Sequence, residues 1–186
     1  MKIIKMLKDE HALIRQFIDN LFLAQERMEL GTNPPRAFFV LALDFARTYI
    51  DKHHHFKEEF LMFGRLAQKM NGEADQYVDA LRRQHETGRT FLSKINGALD
   101  GYHEGKPTQV IEVSENLMAF AALLRHHIHV EDHLFYPLTE KMLSDADDYE
   151  LFRSFLEEET KNGGEEFIER AKASVQQLGL MLASMS

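Results

Sequence analysis

Apolar residues recur three and four positions apart along almost the whole chain, and no stretch sustains a period-2 alternation. A chain patterned this way has helical stripes to bury and no half-buried strand to offer, so it is expected to be all-α. Breakers divide the pattern into long pieces. Ile3, Leu7, Ile14, Phe17, Ile18 and Leu21 predict a helix over 3–30 that ends at Gly31. Pro34-Pro35 opens a second helix, expected to run to about Met70 and stop at Asn71-Gly72. A third covers about 73–100 and ends at Gly101 or Gly105, and Pro107 sits near the start of a fourth that reaches about Leu143. Helices of roughly 40–55 Å with short connections favour antiparallel neighbours. Residues 1–143 are therefore expected to form an antiparallel up-down four-helix bundle.

Residues 144–186 read as a helical extension packed on the same domain, with two additional helices. Ser144 looks like an N-cap before Asp145, Asp147 and Asp148, acids that suit a first turn. That helix stops near Gly163-Gly164, and a last one occupies about 165–184. Its apolar stripe (Phe167, Ile168, Ala171, Val175, Leu178, Leu182) must be covered by the bundle or by a partner, a homodimer being one candidate.

Composition closes off several classes of function. The 186 residues carry a formal charge of −8, which argues against nucleic acid or an anionic membrane as partner. The absence of Cys removes disulfides, thiolate metal sites and thiol catalysis together. No apolar run approaches the roughly 20 residues of a spanning helix, and no signal-type core develops before Asp9 and Glu10. A cytoplasmic location is the expectation.

Ten residues are histidine, and their placement matters more than their number. His54-x-x-x-Glu58 in the second helix and His127-x-x-x-Glu131 in the fourth each put an imidazole and a carboxylate on adjacent turns of one face. His11 and His85 stand alone in the first and third helices, each with Arg four residues on (Arg15, Arg89). The two halves are offset by 74 at His11/His85 and by 73 at both His54/His127 and Glu58/Glu131. One helical hairpin used twice would place four histidines and two carboxylates around a pseudo-twofold axis. Matching the halves selects His54/Glu58 in the second helix, with His55/Glu59 as the main competitor. Of the run His53-His54-His55, at most one or two can face inward at roughly 100° per residue. His103 is expected at the surface, and His129 and His133 are weaker candidates for supporting groups.

Mixed imidazole and carboxylate donors suit Fe, Mn or Zn, whereas Ca and Mg prefer oxygen. Four His and two Glu exceed what one zinc normally takes and fit two metals bridged by both carboxylates. Ferritin-like bundles would show Glu-x-x-His on two helices and a zinc protease His-Glu-x-x-His; neither occurs.

Asp9-Glu10-His11-x-x-Ile14-Arg15, His54-His55-Phe56-Lys57-Glu58-Glu59, His85-Glu86-x-Gly88-Arg89 and His127-Ile128-x-x-Glu131-Asp132, the last followed by Phe135-Tyr136-Pro137, resemble the hemerythrin-like, or HHE cation-binding, family. The motifs come in the family's order and cover about residues 5–143. The resemblance implies two Fe ions with an oxo or hydroxo bridge, Mn or Zn being substitutes. His11 and His54 would bind one iron, His85 and His127 the other, and Glu58 and Glu131 would bridge. The family includes oxygen carriers, oxygen or iron sensors, nitric-oxide-responsive proteins and proteins implicated in repairing iron–sulfur clusters. Oxygen carriers have a second histidine one turn after the third-helix ligand, where this chain has Arg89. They also bridge with an Asp at the position of Asp132. The departure predicts a more open second iron, and favours sensing, reaction with NO or peroxide, or electron transfer over simple carriage of O2; a di-iron protein that binds or reacts with O2, NO or peroxide is the expectation. The other expected reading is an iron-buffering or iron-sensing module that acts through a protein partner.

Overall fold

The computed structural model describes residues 1–69 and 74–185, with the Lys69 side chain not described, and among these every element is helical. In chain order they are α1 (Lys2–Glu29), α2 (Arg36–Phe45), a π-helical segment π1 (Ala46–His55), π2 (Lys57–Met62), α3 (Phe63–Lys69), α4 (Asp75–His103), α5 (Pro107–Val130), π3 (Glu131–Phe135), α6 (Tyr136–Met142), α7 (Asp145–Lys161) and α8 (Gly164–Ala183). Residues 36–69 form one unbroken helical run, and residues 107–142 another. The expected stop at Asn71-Gly72, with Met70 before it, lies outside the described residues.

Local chemistry fixes the ends. Gly31 and Gly105 take positive φ (84° and 71°), where a side chain would be strained. Around Gly31 the Gly31 N–H donates to Met28 O and the Thr32 N–H to Arg27 O; around Gly105 the Gly105 N–H donates to Tyr102 O and the Lys106 N–H to Gly101 O. Both are Schellman closures, so the third long helix ends at Gly105 and passes through Gly101. Ser144 and Asp147 form a reciprocal capping box at α7. The start of α1 has no cap of its own, and the Asp148 carboxylate of α7 accepts from Lys2 N (2.9 Å) and Ile3 N (3.1 Å) instead.

Two apolar cores sit one above the other. The larger joins Ile14, Phe17, Phe38, Phe45, Leu92, Leu99, Leu117 and Leu124 with Val175, Leu178 and Leu182 of α8. The smaller joins Ile3, Leu7, Met62, Phe63, Leu81, Phe135 and Tyr136 with Leu151 and Phe155 of α7. The α8 stripe is thus buried against α1 and α2 of its own chain. Each of α1, the 36–69 run, α4 and the 107–142 run passes through both cores, and between them each contributes polar residues at one level. That buried polar layer holds His11, His54, Glu58, His85, His127 and Glu131, none more than 2% exposed.

Candidate metal centre

All three π segments fall on this layer: π1 carries His53, His54 and His55, π2 carries Glu58, and π3 begins at Glu131. A π turn is wider than an α turn and shifts which side chains share a face, which is why such segments gather at functional sites. Here the run of three histidines departs from the sequence expectation, because all three are buried. His54 turns to His11, and His55 turns to His85 and His127. The face that His53 occupies would be solvent in an isolated bundle, but Phe167 of α8 covers it with ring centroids 5.1 Å apart.

The Nε2 atoms of His11 and His54 lie 3.0 Å apart, and those of His85 and His127 also 3.0 Å apart. Glu131 reaches both pairs, with Oε2 3.3 Å from His11 Nε2 and Oε1 3.0 Å from His127 Nε2. Glu58 Oε2 stands 3.8 Å from His54 Nε2 and 3.6 Å from His85 Nε2. Its other oxygen accepts from the Tyr136 hydroxyl at 2.7 Å, and that hydroxyl is 3.4 Å from His11 Nε2.

The outward nitrogens fix the tautomers. His11 Nδ1 meets Asp132 (3.1 Å), His54 Nδ1 meets Glu10 (2.8 Å), His85 Nδ1 meets Glu59 (2.6 Å) and His127 Nδ1 meets the Gln84 side-chain oxygen (2.8 Å). Burial alone would raise the three carboxylates, but Lys57 beside Glu10, His85 and Arg89 beside Glu59, and His11 and Arg15 beside Asp132 hold them below their ordinary values. An ionised carboxylate only accepts, so Nδ1 carries a proton and donates. In His54 and His85, which burial keeps neutral, the Nε2 lone pair points inward. Burial would lower His11, but Asp132 and Glu131 outweigh it and raise His11, which can place a second proton toward Glu131.

Acceptors therefore face acceptors in the middle of the layer. Glu58 Oε2 and both Glu131 oxygens have no hydrogen-bonded partner, an arrangement that costs roughly 1–3 kcal/mol per buried group unless a cation supplies what is missing. The metal-free protein relieves part of this with protons. Burial and the neighbouring Glu131 push Glu58 well above the carboxylate range, whereas His127 and His11 outweigh burial and hold Glu131 well below it. Burial depresses His54 to about 4 and His85 to about 3, so both rings stay neutral, as a ligand must be. Two nitrogens about 2.0–2.1 Å from one metal and 90–110° apart lie roughly 3.0–3.4 Å from each other, so the paired imidazoles fit the demand of a metal.

Ligand-competent atoms within 4.8 Å of one another form two groups here, His11, His54 and Glu131, and His55, Glu58, His85 and His127. A third, Glu10, His53 and Glu159, already surrounds a cation. The fully buried Lys57 ammonium bonds Glu10 and His53 Nε2 and lies 3.7 Å from Glu159. That cluster is a buried ion network behind His54.

Sequence reasoning missed this outer ring, although its signal was present. Each supporting residue is the chain neighbour of a different candidate: Glu10 precedes His11 and supports His54, Gln84 precedes His85 and supports His127, Asp132 follows Glu131 and supports His11, Glu59 follows Glu58 and supports His85. Arg15 holds Asp132 and Arg89 holds Glu59 (2.8 Å). The internal repeat thus extends to the supporting residues, and Arg89 stands in it as the counterpart of Arg15. His103 is exposed, as are His129 and His133, which stack on each other away from the layer.

The family profile described as Hemerythrin HHE cation binding domain matches residues 2–139. The chain belongs to that family, and its His/Glu clusters are able to hold a metal ion. Among curated proteins and among solved structures no match is found. No helix among the described residues is long and apolar enough to cross a membrane.

Proposed function

We propose that this protein holds two iron ions inside an antiparallel up-down four-helix bundle and binds or reacts with O2, NO or peroxide, in sensing, detoxification or iron–sulfur repair. His11 and His54 would hold one iron, His85 and His127 the other, and Glu58 and Glu131 would bridge. The observation that carries this reading is the convergence of four inward Nε2 atoms on two buried carboxylates, three of whose four oxygens lack hydrogen-bonded partners. Iron bound there would supply redox chemistry and a coordination position for a small ligand.

The chain's own residues do the rest. Asp132, Glu10, Glu59 and Gln84 orient the rings. The two apolar cores keep bulk water from the layer. Tyr136 offers a hydroxyl proton at Glu58 Oε1. A cavity of about 20 Å³ between His55, His85, Gly88, Phe120 and His127 has room for one water-sized or diatomic guest. The cytoplasm, where reductants favour ferrous loading, is the compartment this reading assigns.

Metal content per chain by mass spectrometry, with the visible spectrum in air, tests it. Two irons with near-ultraviolet charge-transfer bands, and a spectral change with at least one of O2, NO and peroxide, are expected. Fewer than two metals after anaerobic iron loading, or two irons indifferent to all three molecules, would sink the reading.

A further inference from the structure

The family profile ends at residue 139, before α7 and α8 begin. Helix α7 nonetheless bridges the two helical runs that carry His11 and His54. At its start, Asp148 accepts from Lys2 N and Ile3 N of α1, and Arg65 of α3 pairs with Glu150 (2.6 Å) and Asp147 (3.5 Å). Farther along α7, at the level of the buried layer, Glu159 lies 3.7 Å from the Lys57 ammonium and the Phe155 ring 5.8 Å from it.

Lys57 is fully buried, which is costly for an ammonium unless its donors are met. They are met by Glu10 Oε1 and by His53 Nε2 (3.0 Å), with Glu159 as a further counter-charge. The other Glu10 oxygen accepts from His54 Nδ1 at 2.8 Å. The repeat shows that neither charge is needed to fill space or to support a ring. Shifted by 73 residues, Lys57 corresponds to Val130 and the buried His53 to the exposed His126. Shifted by 74, Glu10 corresponds to Gln84, whose neutral amide supports His127 at the same 2.8 Å. What the ion pair adds at the His54 end is a continuous polar chain from the ring to α7, His54–Glu10–Lys57–Glu159.

From this placement we infer that Lys57 is a positioning residue that couples the C-terminal extension to one metal of the pair. Through Glu10 it sets the His54 ring, and through Glu159 its own place is set by α7. The inference rests on the two-metal reading above. Coupling between two sites is reciprocal, so iron at the His54 end tightens α7, and anything that displaces α7 loosens that iron. The iron at the His85 end is left alone. The extension is then a means by which the rest of the cell can sense or release one metal.

The test uses the full-length protein loaded anaerobically with Fe(II), beside Lys57→Met and Glu10→Gln/Lys57→Met. Lys57→Met keeps a long unbranched side chain and removes the charge. We expect wild type to hold two irons with two Mössbauer doublets of equal area, and iron loading to slow amide hydrogen exchange at residues 151–160 of α7. In Lys57→Met, the doublet that His54→Ala removes should need at least ~10-fold more free Fe(II), the lower end of what losing a supporting group does to metal affinity. The other doublet should form as before, and α7 should no longer respond to iron. The double variant copies the Gln84–Val130 arrangement. It should regain most of the affinity at the His54 end while α7 stays unresponsive, a split that a merely structural role would not produce.

Two irons bound by Lys57→Met as tightly as by wild type, or both weakened equally, would overturn the inference and leave the two-metal reading intact. So would α7 exchange that ignores iron in wild type. Should Lys57→Met misfold, the double variant decides, because it leaves no unpaired charge beside His54: an undiminished response of α7 to iron there overturns the coupling, and its loss supports it. Fewer than two irons in wild type would overturn both readings.

Discussion

At the His11/His54 end of the buried layer, the group that turns inward from the neighbouring helix is the Tyr136 hydroxyl; at the His85/His127 end it is the His55 ring. The two ends otherwise use the same parts at matching positions. Each has an Nε2 pair at 3.0 Å, a carboxylate and a second oxygen acceptor behind the rings, and an arginine holding the carboxylate. Tyr136 stacks on His11 as Phe63 does on His85, with interplanar angles of 14° and 12°. The difference teaches that a repeated helical pattern brings matching groups to both ends of the layer, while side chains outside the repeat decide how alike the ends are. One end receives a hydroxyl and the other a stacked imidazole ring.

Variants that treat the ends alike or apart should break or sharpen that contrast. The largest effect is expected from Glu131→Ala, because Glu131 touches both pairs; iron per chain should fall from two toward none, while His103→Ala at the exposed surface keeps two. Equal iron in both variants would overturn the placement of the site. His54→Ala should strip only its own end, leaving about one iron by mass spectrometry.

The outer carboxylates come next. Asp132→Asn should weaken the metal near His11, and Glu59→Gln the metal near His85, each by ~10–100-fold in competitive titration. Loss of both metals in either variant would mean that the ends are not separable.

The pH response of the metal-free protein tests what the ends share. His54 and His85 are depressed by burial to about 4 and about 3 from an ordinary value near 6.5. Between those values the unfolded chain binds protons that the folded chain refuses, so stability falls as pH drops. Their contribution is fully present above about pH 6.5 and is lost progressively toward pH 4 and then 3. Glu58 and His11 are raised and act with the opposite sign, so the part due to the two rings is read as a difference. From pH 7.5 to pH 5 the urea midpoint of wild type should fall further than that of His54→Phe/His85→Phe. An equal change in both proteins would show that the rings are already protonated or exposed.

The smallest effect is expected from Tyr136→Phe, which makes that position match Phe63. It removes one buried hydrogen bond to Glu58 and should cost about 1 kcal/mol in denaturant unfolding. Both irons should remain, and the spectral change should be confined to one of the two doublets.

The chain's order of apolar stripes and breakers makes the helices legible without coordinates, because a helix end depends on a few local residues such as Gly31, Gly105, Pro107 and Ser144. The His-x-x-x-Glu pairs are legible for the same reason, since residues four apart share a face on any helix. Three things needed the folded molecule. The π turns at the layer come from side chains competing for one interior, and no local propensity announces them. The burial of His53 depends on where Phe167 of α8 lands, more than a hundred residues away in the chain. The support of each ring comes from a residue adjacent to a different candidate, so sequence proximity pointed to the right neighbourhoods and the wrong partners.

What the sequence determined by itself was an all-helical chain of the HHE cation-binding family with histidines and carboxylates at matching positions in its two halves. Only the tertiary structure decided which nitrogen of each ring turns inward, what Arg89 holds, and that His55 is buried on the His85 ring without a hydrogen bond. The physical reason is range. Helix periodicity is set within a turn, whereas tautomers, desolvation and unmet hydrogen bonds are set by whatever the other helices bring within about 3 Å.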